Sequence, residues 1–166
     1  MPRSSATLDA LADIRELCQR ARALAHAQRL PDLPASAELR GERAWHPHEH
    51  TAWGLGESVR QLFKRAGSLK RDAALVAEVA AIAELASLGR GRQSFVMAIG
   101  FTAAAPVAPR LAPLLADQEV AGHVVHTLLR MRAPGYGARV APLAKADRTW
   151  VRRKASEYIQ RFGAAV

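Results

Sequence analysis

Three histidines and one glutamate are concentrated in residues 45–50, which read WHPHEH. Imidazole nitrogens and carboxylate oxygens are the side-chain groups that bind zinc and related divalent metals. Structural metal sites, however, take ligands from two separate parts of the chain, and this sequence has no second cluster of cysteines or histidines. We therefore expect an exposed or interface loop, with His46, His48 and His50 as the only candidate metal ligands.

A second pair of histidines, His123 and His126, lies one helical turn apart, and Arg130 continues the same face. An acid–base couple or a metal site would need a carboxylate or a thiol beside the pair, and the pair belongs to no cluster of such residues. Because Val124 and Leu128 form the apolar stripe of this segment, we expect the polar residues to project from the opposite side. We interpret them as contact surface for a partner.

Catalytic motifs are missing from the sequence. It contains no glycine-rich phosphate loop, no nucleophile elbow and no histidine–glutamate metalloprotease helix. The stretch GRGRQS at 89–94 lacks the lysine that a phosphate-binding loop needs. We therefore expect a protein that is not an enzyme and that needs no cofactor.

Basic residues are unevenly distributed. Lys and Arg number 24 against 15 Asp and Glu, which gives a net charge of +9, and residues 118–166 carry 9 basic residues against 3 acidic ones. Arginine suits bidentate capture of carboxylates or phosphates, so we expect a partner surface here, the alternative being a solvated end of the fold. The predicted partner-binding residues are the histidine pair and eight cations: His123, His126, Arg130, Arg132, Arg139, Arg148, Arg152, Arg153, Lys154 and Arg161.

The elements that position these residues are predicted to be helices. Among the 166 residues, 35 alanines and 19 leucines outnumber 11 valines and 4 isoleucines, and this excess favours helices over strands. The length is that of one domain with its own core, here residues 1–166. The single cysteine, Cys18, cannot form an internal disulfide. We therefore expect one all-α domain without covalent cross-links.

The same composition bears on where the protein resides. No apolar run reaches the roughly 18 residues that a membrane-spanning helix needs. Asp9, Asp13 and Glu16 lie where a signal peptide would have its apolar core. A lone cysteine gives no sign of an oxidising compartment. We therefore expect a cytoplasmic protein that does not insert into membranes.

The first part of the chain, residues 1–70, is predicted to be irregular. Apolar residues at helical spacing predict one long amphipathic helix over residues 7–30. Prolines follow it, and residues 31–50 show no sustained period, so we expect a loop with at most one short helical turn. A further helical stripe then ends near Gly67.

In the second part of the chain, residues 72–162, the glycines and prolines that end helical segments recur regularly. Residues 108–117 and 138–147 share an arginine, the motif Ala-Pro-Leu and a closing aspartate. Each is followed by a longer amphipathic segment, and the apolar positions of the two segments are offset by 31 residues. Paired helices that repeat at about 30 to 45 residues are typical of an α-solenoid, in which each pair buries its apolar face against its neighbours.

This second part resembles the HEAT/armadillo-like helical repeat superfamily, most closely over residues 106–162. The resemblance rests on a proline in each short helix, an aspartate at each inter-helix turn, and the start of the last helix: Pro113, Pro142, Asp117, Asp147 and Val151-Arg152-Arg153. The preceding unit departs from the pattern, with Ala121 and Gly122 where the last unit has arginines. The aspartates are placed where a carboxylate can cap the next helix. The resemblance implies an α-solenoid of HEAT-like hairpins, with a curved surface for macromolecular recognition lined by the second helices.

Two classes of function fit these features. A basic face on a small helical-repeat protein predicts a non-enzymatic protein that binds an acidic protein partner, as an adaptor or a toxin-neutralising immunity protein does. The alternative is a protein that contacts the phosphate backbone of duplex DNA or RNA, because phosphates and carboxylates attract the same arginines. A remote third class comes from the resemblance: some helical-repeat proteins are DNA glycosylases that use a tryptophan and an aspartate, and Trp150 and Asp147 are present here.

Overall fold

The computed structural model describes residues 5–27, 44–102 and 105–163, and all regular structure within these ranges is helical. The α-helices are α1 (Ser5–His26), α2 (Pro47–Arg65), α3 (Ala73–Ala83), α4 (Gln93–Ile99), α5 (Ala108–Leu111), α6 (Ala121–Met131), α7 (Gly137–Val140) and α8 (Thr149–Phe162). The 3₁₀ helices are Gly67–Arg71, Ala86–Arg92, Ala105–Val107, Ala112–Ala116 and Ala141–Lys145. The predicted all-α class is therefore confirmed.

Four of the helices pack against one another in chain order: α2 contacts α4, α4 contacts α6, and α6 contacts α8. The other elements pack against these four helices. α1 packs against α2 and α3, α3 packs against α4, and the short helical segments at 108–116 and 137–145 pack against α6 and α8. One buried apolar cluster extends from Ala10 in α1 to Tyr158 in α8. Each element is thus buried mainly against elements close to it in the chain.

The two Ala-Pro-Leu segments have the same local structure. In each, a four-residue α-helix, α5 or α7, continues directly into a five-residue 3₁₀ helix. Pro113 and Pro142 lie in the first turn of these 3₁₀ helices. The predicted alternation of short and longer helices is confirmed, since α6 and α8 follow the two segments.

The aspartates at the inter-helix turns do not cap the helices that follow them, contrary to expectation. Val120 holds the N-cap position of α6 and Arg148 that of α8, and neither makes a side-chain capping bond. Asp117 instead accepts a hydrogen bond from the N–H of Glu119 at 3.0 Å and forms an ion pair with Arg92. It therefore closes the turn before α6 and neutralises an arginine that is almost fully buried.

The end of the predicted loop is helical, so the loop prediction is wrong for residues 47–50. His46 is the N-cap of α2: its Nδ1 accepts a hydrogen bond from the N–H of His48 at 3.1 Å. Glu49 completes a capping box, because its Oε2 accepts a bond from the N–H of His46 at 2.9 Å. Pro47 occupies the first turn, where proline is favoured. A proline that looks like a helix breaker in the sequence therefore starts a helix.

The first helix buries the stripe that its spacing predicts. Ile14, Cys18 and Ala21 have no exposed surface, although Leu8 near the start of α1 is 50% exposed. α1 ends at His26. The last three residues of the predicted 7–30 helix, and the predicted loop up to residue 43, lie outside the described residues.

Two glycines on α2 and α6 should respond in opposite directions to substitution by alanine. A Cβ at Gly122 would overlap the Trp150 ring and lie 2.7 Å from Cγ2 of Val151, so Gly122→Ala should separate α6 from α8 and cost about 1–3 kcal/mol. Gly54 has open space around it in the middle of α2, so Gly54→Ala should stabilise the protein by about 0.5–1 kcal/mol. Urea unfolding of both variants tests the pair, and equal shifts would contradict the close α6–α8 contact.

Candidate functional site

A groove of about 870 Å³ lies between the last two short helical segments. One wall comes from the 3₁₀ helix Ala112–Ala116 and the start of α6, and the other from residues 139–148. Small residues leave this space open, among them Ala112, Ala116 and Gly122. A concave surface of this size can accommodate a peptide side chain together with neighbouring backbone.

The groove combines an apolar floor with basic residues. Leu115, Leu143 and Val151 provide apolar lining. Three cations line the same groove, Arg139, Lys145 and Arg148, and one carboxylate, Asp147, lies beside them. Arg139 and Lys145 are exposed, and Arg148 is half-buried. The arrangement can bind a chain that carries several negative charges next to an apolar side chain.

Of the predicted partner-binding residues, only Arg139 and Arg148 line the groove. Arg152 lies nearby but holds the turn before α8, since its Nη1 donates to the carbonyl oxygens of Ala146 at 2.7 Å and Asp147 at 2.6 Å. Its Nη2 also donates to Oγ1 of Thr149 at 3.1 Å. Arg152 is therefore not a free contact residue, because its guanidinium serves carbonyl groups of the turn that follows the 3₁₀ helix Ala141–Lys145.

The remaining basic residues of the predicted surface have separate environments. Lys154 forms an ion pair with Glu157 at 2.7 Å on α8, while Arg153 and Arg161 are exposed on the same helix. Arg132 ends α6 in a left-handed conformation with φ of 53°. The Cζ of Arg130 lies over the ring of Phe101, 4.1 Å from its centre, and Arg130 is not part of the groove lining. The basic block of the sequence is thus spread over several surfaces.

The histidine pair lies where α6 packs on α8. Contrary to the prediction, His123 does not project into solvent. Its ring contacts the Trp150 ring edge-on at 5.0 Å, and the side chain is half-buried. Burial is the main cause that lowers the pKa of His123 to about 4, and the nearby His126 and Arg148 contribute to the same shift. Burial also lowers the pKa of His126, as do the charges of Lys154 and Arg130. Both imidazoles are therefore neutral at pH 7.

Acidification should destabilise the fold through His123. Its folded-state pKa of about 4 lies below the ordinary 6.5, so the unfolded chain binds this proton first as the pH falls. The stability contributed by the neutral imidazole is therefore complete above about pH 6.5 and is lost toward pH 4. His123→Phe keeps a ring against Trp150 but cannot titrate, so urea unfolding at pH 7, 6, 5 and 4 should show a shallower loss. An unchanged loss would contradict this assignment.

The candidate metal ligands have structural partners. His46 is buried, and its Nδ1 accepts the capping bond described above. His48 is also buried, with its ring centre 6.4 Å from that of His46, whereas His50 is exposed and packs on Trp45 at 5.3 Å. Within the described ranges, no three histidine, cysteine, aspartate or glutamate side chains come together as a metal-binding group.

Sequence reasoning missed a set of buried charges that joins α2 to the segment before α4. Glu49 is fully buried, and its Oε1 accepts a hydrogen bond from the N–H of Arg90 at 3.0 Å. The Arg90 guanidinium lies 3.5 Å from Glu49 Oε2, donates to the carbonyl of Ala44 at 2.6 Å and lies over the Trp45 ring. Gly89 adopts a φ of +52°, and a Cβ there would overlap the Glu49 carboxylate. These partners are 40 or more residues apart, so spacing gives no signal for them.

The tryptophan and the aspartate of the glycosylase alternative do not line the groove together. Asp147 lines the groove, whereas Trp150 packs on His123 and is not part of the lining.

No helix in the described ranges has the length and apolar character needed to cross a bilayer. Comparison of the chain with protein-family models, with curated proteins and with solved structures gave no match.

Proposed function

We propose that this chain is a non-enzymatic binding protein whose groove engages an acidic segment of a protein partner. The observation that carries the proposal is the groove itself, with Arg139, Lys145 and Arg148 lining the same space as apolar residues. An acidic segment with an apolar side chain would satisfy both, because its carboxylates would pair with the cations while the side chain fills the floor. In this proposal the chain acts as a cytoplasmic adaptor or as a toxin-neutralising immunity protein.

We further propose that the fold is an α-solenoid of HEAT-like hairpins, preceded by an irregular helical region in residues 1–70. The successive contacts α2–α4, α4–α6 and α6–α8 support it, as does the matched structure of residues 108–116 and 137–145. In such a fold, grooves between adjacent hairpins are natural sites for extended partners.

A protein partner fits the groove better than duplex nucleic acid does. A duplex presents a broad, polar backbone, which would leave the apolar floor of Leu115, Leu143 and Val151 unfilled. Backbone binding to duplex DNA or RNA is the second candidate, and the exposed Arg139, Lys145 and Arg153 are the observation that favours it.

Salt dependence separates the two candidates. Two fluorescent probes would be titrated by anisotropy: a short peptide in which aspartates flank leucines, and a short DNA duplex of arbitrary sequence. Duplex binding that neutralises several phosphates should collapse between about 50 and 200 mM salt, because condensed counterions are released. Peptide binding should keep most of its affinity over this range, since contacts in a groove are less screened. Submicromolar duplex binding at about 150 mM salt, with no peptide binding, would reverse the preference.

A further inference from the structure

A second cationic site lies away from the groove, at the end of α4. Three cations from α2 and α6 surround the half-buried ring of Phe101: Arg130 at 4.1 Å, Lys64 at 5.2 Å and Arg60 at 5.4 Å from its centre. Each cation is attracted to the electron-rich face of an aromatic ring. Like charges repel one another, however, so a shared ring alone leaves most of their mutual repulsion uncompensated.

The Arg130 guanidinium is held in one orientation at this site. Its Nε donates to the carbonyl of Gly100 at 3.1 Å, and its Cζ lies over the Phe101 ring. In the part of the chain that the structure describes, the two Nη groups of this exposed side chain have no hydrogen-bond partner. A guanidinium fixed through Nε presents its remaining N–H donors as a fork, which matches two oxygens of one oxyanion.

The charge balance of the cluster favours a doubly charged ligand. Glu57 offsets Arg60, because its Oε2 accepts a bond from Nε of Arg60 at 2.7 Å. Lys64 and Arg130 are exposed and form no ion pair within the described residues, although the charge of Lys64 helps to lower the pKa of Glu57. Two net positive charges therefore remain beside one ring. A phosphate monoester carries about −1.5 to −2 at pH 7, whereas a carboxylate carries only one charge.

We infer that Arg130 and Lys64 form a binding site for a phosphate group, with Phe101 as the platform that positions both cations. Arg130 binds two phosphate oxygens through its Nη groups, and Lys64 contributes a second positive charge from the neighbouring helix α2. Arg60 is the third cation at the ring, and it adds to the positive potential of the site while it remains bound to Glu57. The site lies outside the groove lining, so it does not depend on the proposed protein partner.

The Nε–H resonance of Arg130 in ¹H–¹⁵N NMR provides a direct readout, assigned from the peak that Arg130→Lys removes. Inorganic phosphate, glycerol 3-phosphate and acetate would be titrated separately at constant ionic strength. Both phosphates should shift the resonance saturably, and acetate should not. Tighter binding of glycerol 3-phosphate than of inorganic phosphate would assign the site to an ester, and equal binding would assign it to the phosphate group alone.

Three variants make the test specific. Lys64→Gln changes an exposed residue, so the fold should persist while phosphate affinity falls roughly fivefold. Phe101→Leu keeps an apolar side chain but removes the ring, and it should weaken phosphate binding to a similar degree. Arg153→Gln, a matched loss of one exposed charge on α8, should leave affinity unchanged. A shift that does not saturate, or an equal loss of affinity in Arg153→Gln, would overturn the site in favour of general surface charge.

Discussion

Glu49→Ala should lower the free energy of unfolding by about 3–5 kcal/mol, the largest effect we expect from any single substitution in this chain. The carboxylate is fully buried and accepts hydrogen bonds from the N–H groups of His46 and Arg90. Its removal leaves these donors without their acceptor and leaves the guanidinium of Arg90, whose side chain is only 7% exposed, without a counter-charge. A buried ion that loses its partner costs far more than the pair contributes.

The matched control for this variant is Glu57→Ala on the same helix. Glu57 pairs with Arg60, but both side chains are partly exposed, at 31% and 22%. Exposed pairs of this kind contribute about 0–1 kcal/mol, so Glu57→Ala should shift the urea midpoint only slightly. Similar losses for the two variants would show that Glu49 is solvated, and that α2 is not tied to residues 89–92 by its carboxylate.

Leu128→Ala should cost about 2–5 kcal/mol of unfolding free energy. Leu128 lies in α6, which packs against both α4 and α8, and it is one of the largest fully buried side chains among the described residues. Its truncation leaves a cavity between packed helices, in a chain whose single cysteine provides no disulfide to offset the loss. Equilibrium urea unfolding measures the effect.

Leu8→Ala serves as the control for this truncation. Leu8 in α1 is 50% exposed, so the same chemical change should cost less than about 0.5 kcal/mol. A small loss for Leu128→Ala, comparable to that for Leu8→Ala, would mean that α6 does not hold the position between α4 and α8 described above.

The burial pattern of the second half of the chain was predictable because it depends on local spacing. Val124 and Leu128 recur at helical intervals and are fully buried. The two Ala-Pro-Leu segments repeat their sequence and also repeat their structure. Where apolar periodicity and proline placement decide the element, the sequence is sufficient.

The start of α2 was not predictable in this way. Serine or threonine at the N-cap, with glutamate three residues later, is the familiar sign of a helix start. Here His46 takes the N-cap position through its ring nitrogen, and Pro47 follows it. The glutamate at the third position, Glu49, is present, but in the sequence His46 is a candidate metal ligand and carries no sign that its ring nitrogen caps a helix.

The cationic sites depend on contacts between distant residues. The groove brings Arg139 and Arg148 to the same space as Leu115, and the Phe101 site brings Lys64 of α2 to Arg130 of α6. Charge counts along the chain locate an excess in residues 118–166, but they do not show which arginines hold carbonyls and which face a groove. Arg152 has the same residue type as Arg139 and serves the turn before α8 instead.

The binding claim is tested most directly by two charge-reversal variants with equal change in net charge, assayed against the aspartate–leucine peptide at physiological salt. Arg139→Glu with Lys145→Glu alters the groove, and Arg153→Glu with Arg161→Glu alters exposed residues of α8 outside its lining. If the groove binds the acidic segment, the first variant should raise Kd by at least roughly tenfold and the second by less than about threefold. Equal losses in the two variants, or unchanged affinity in the groove variant, would contradict the proposed function.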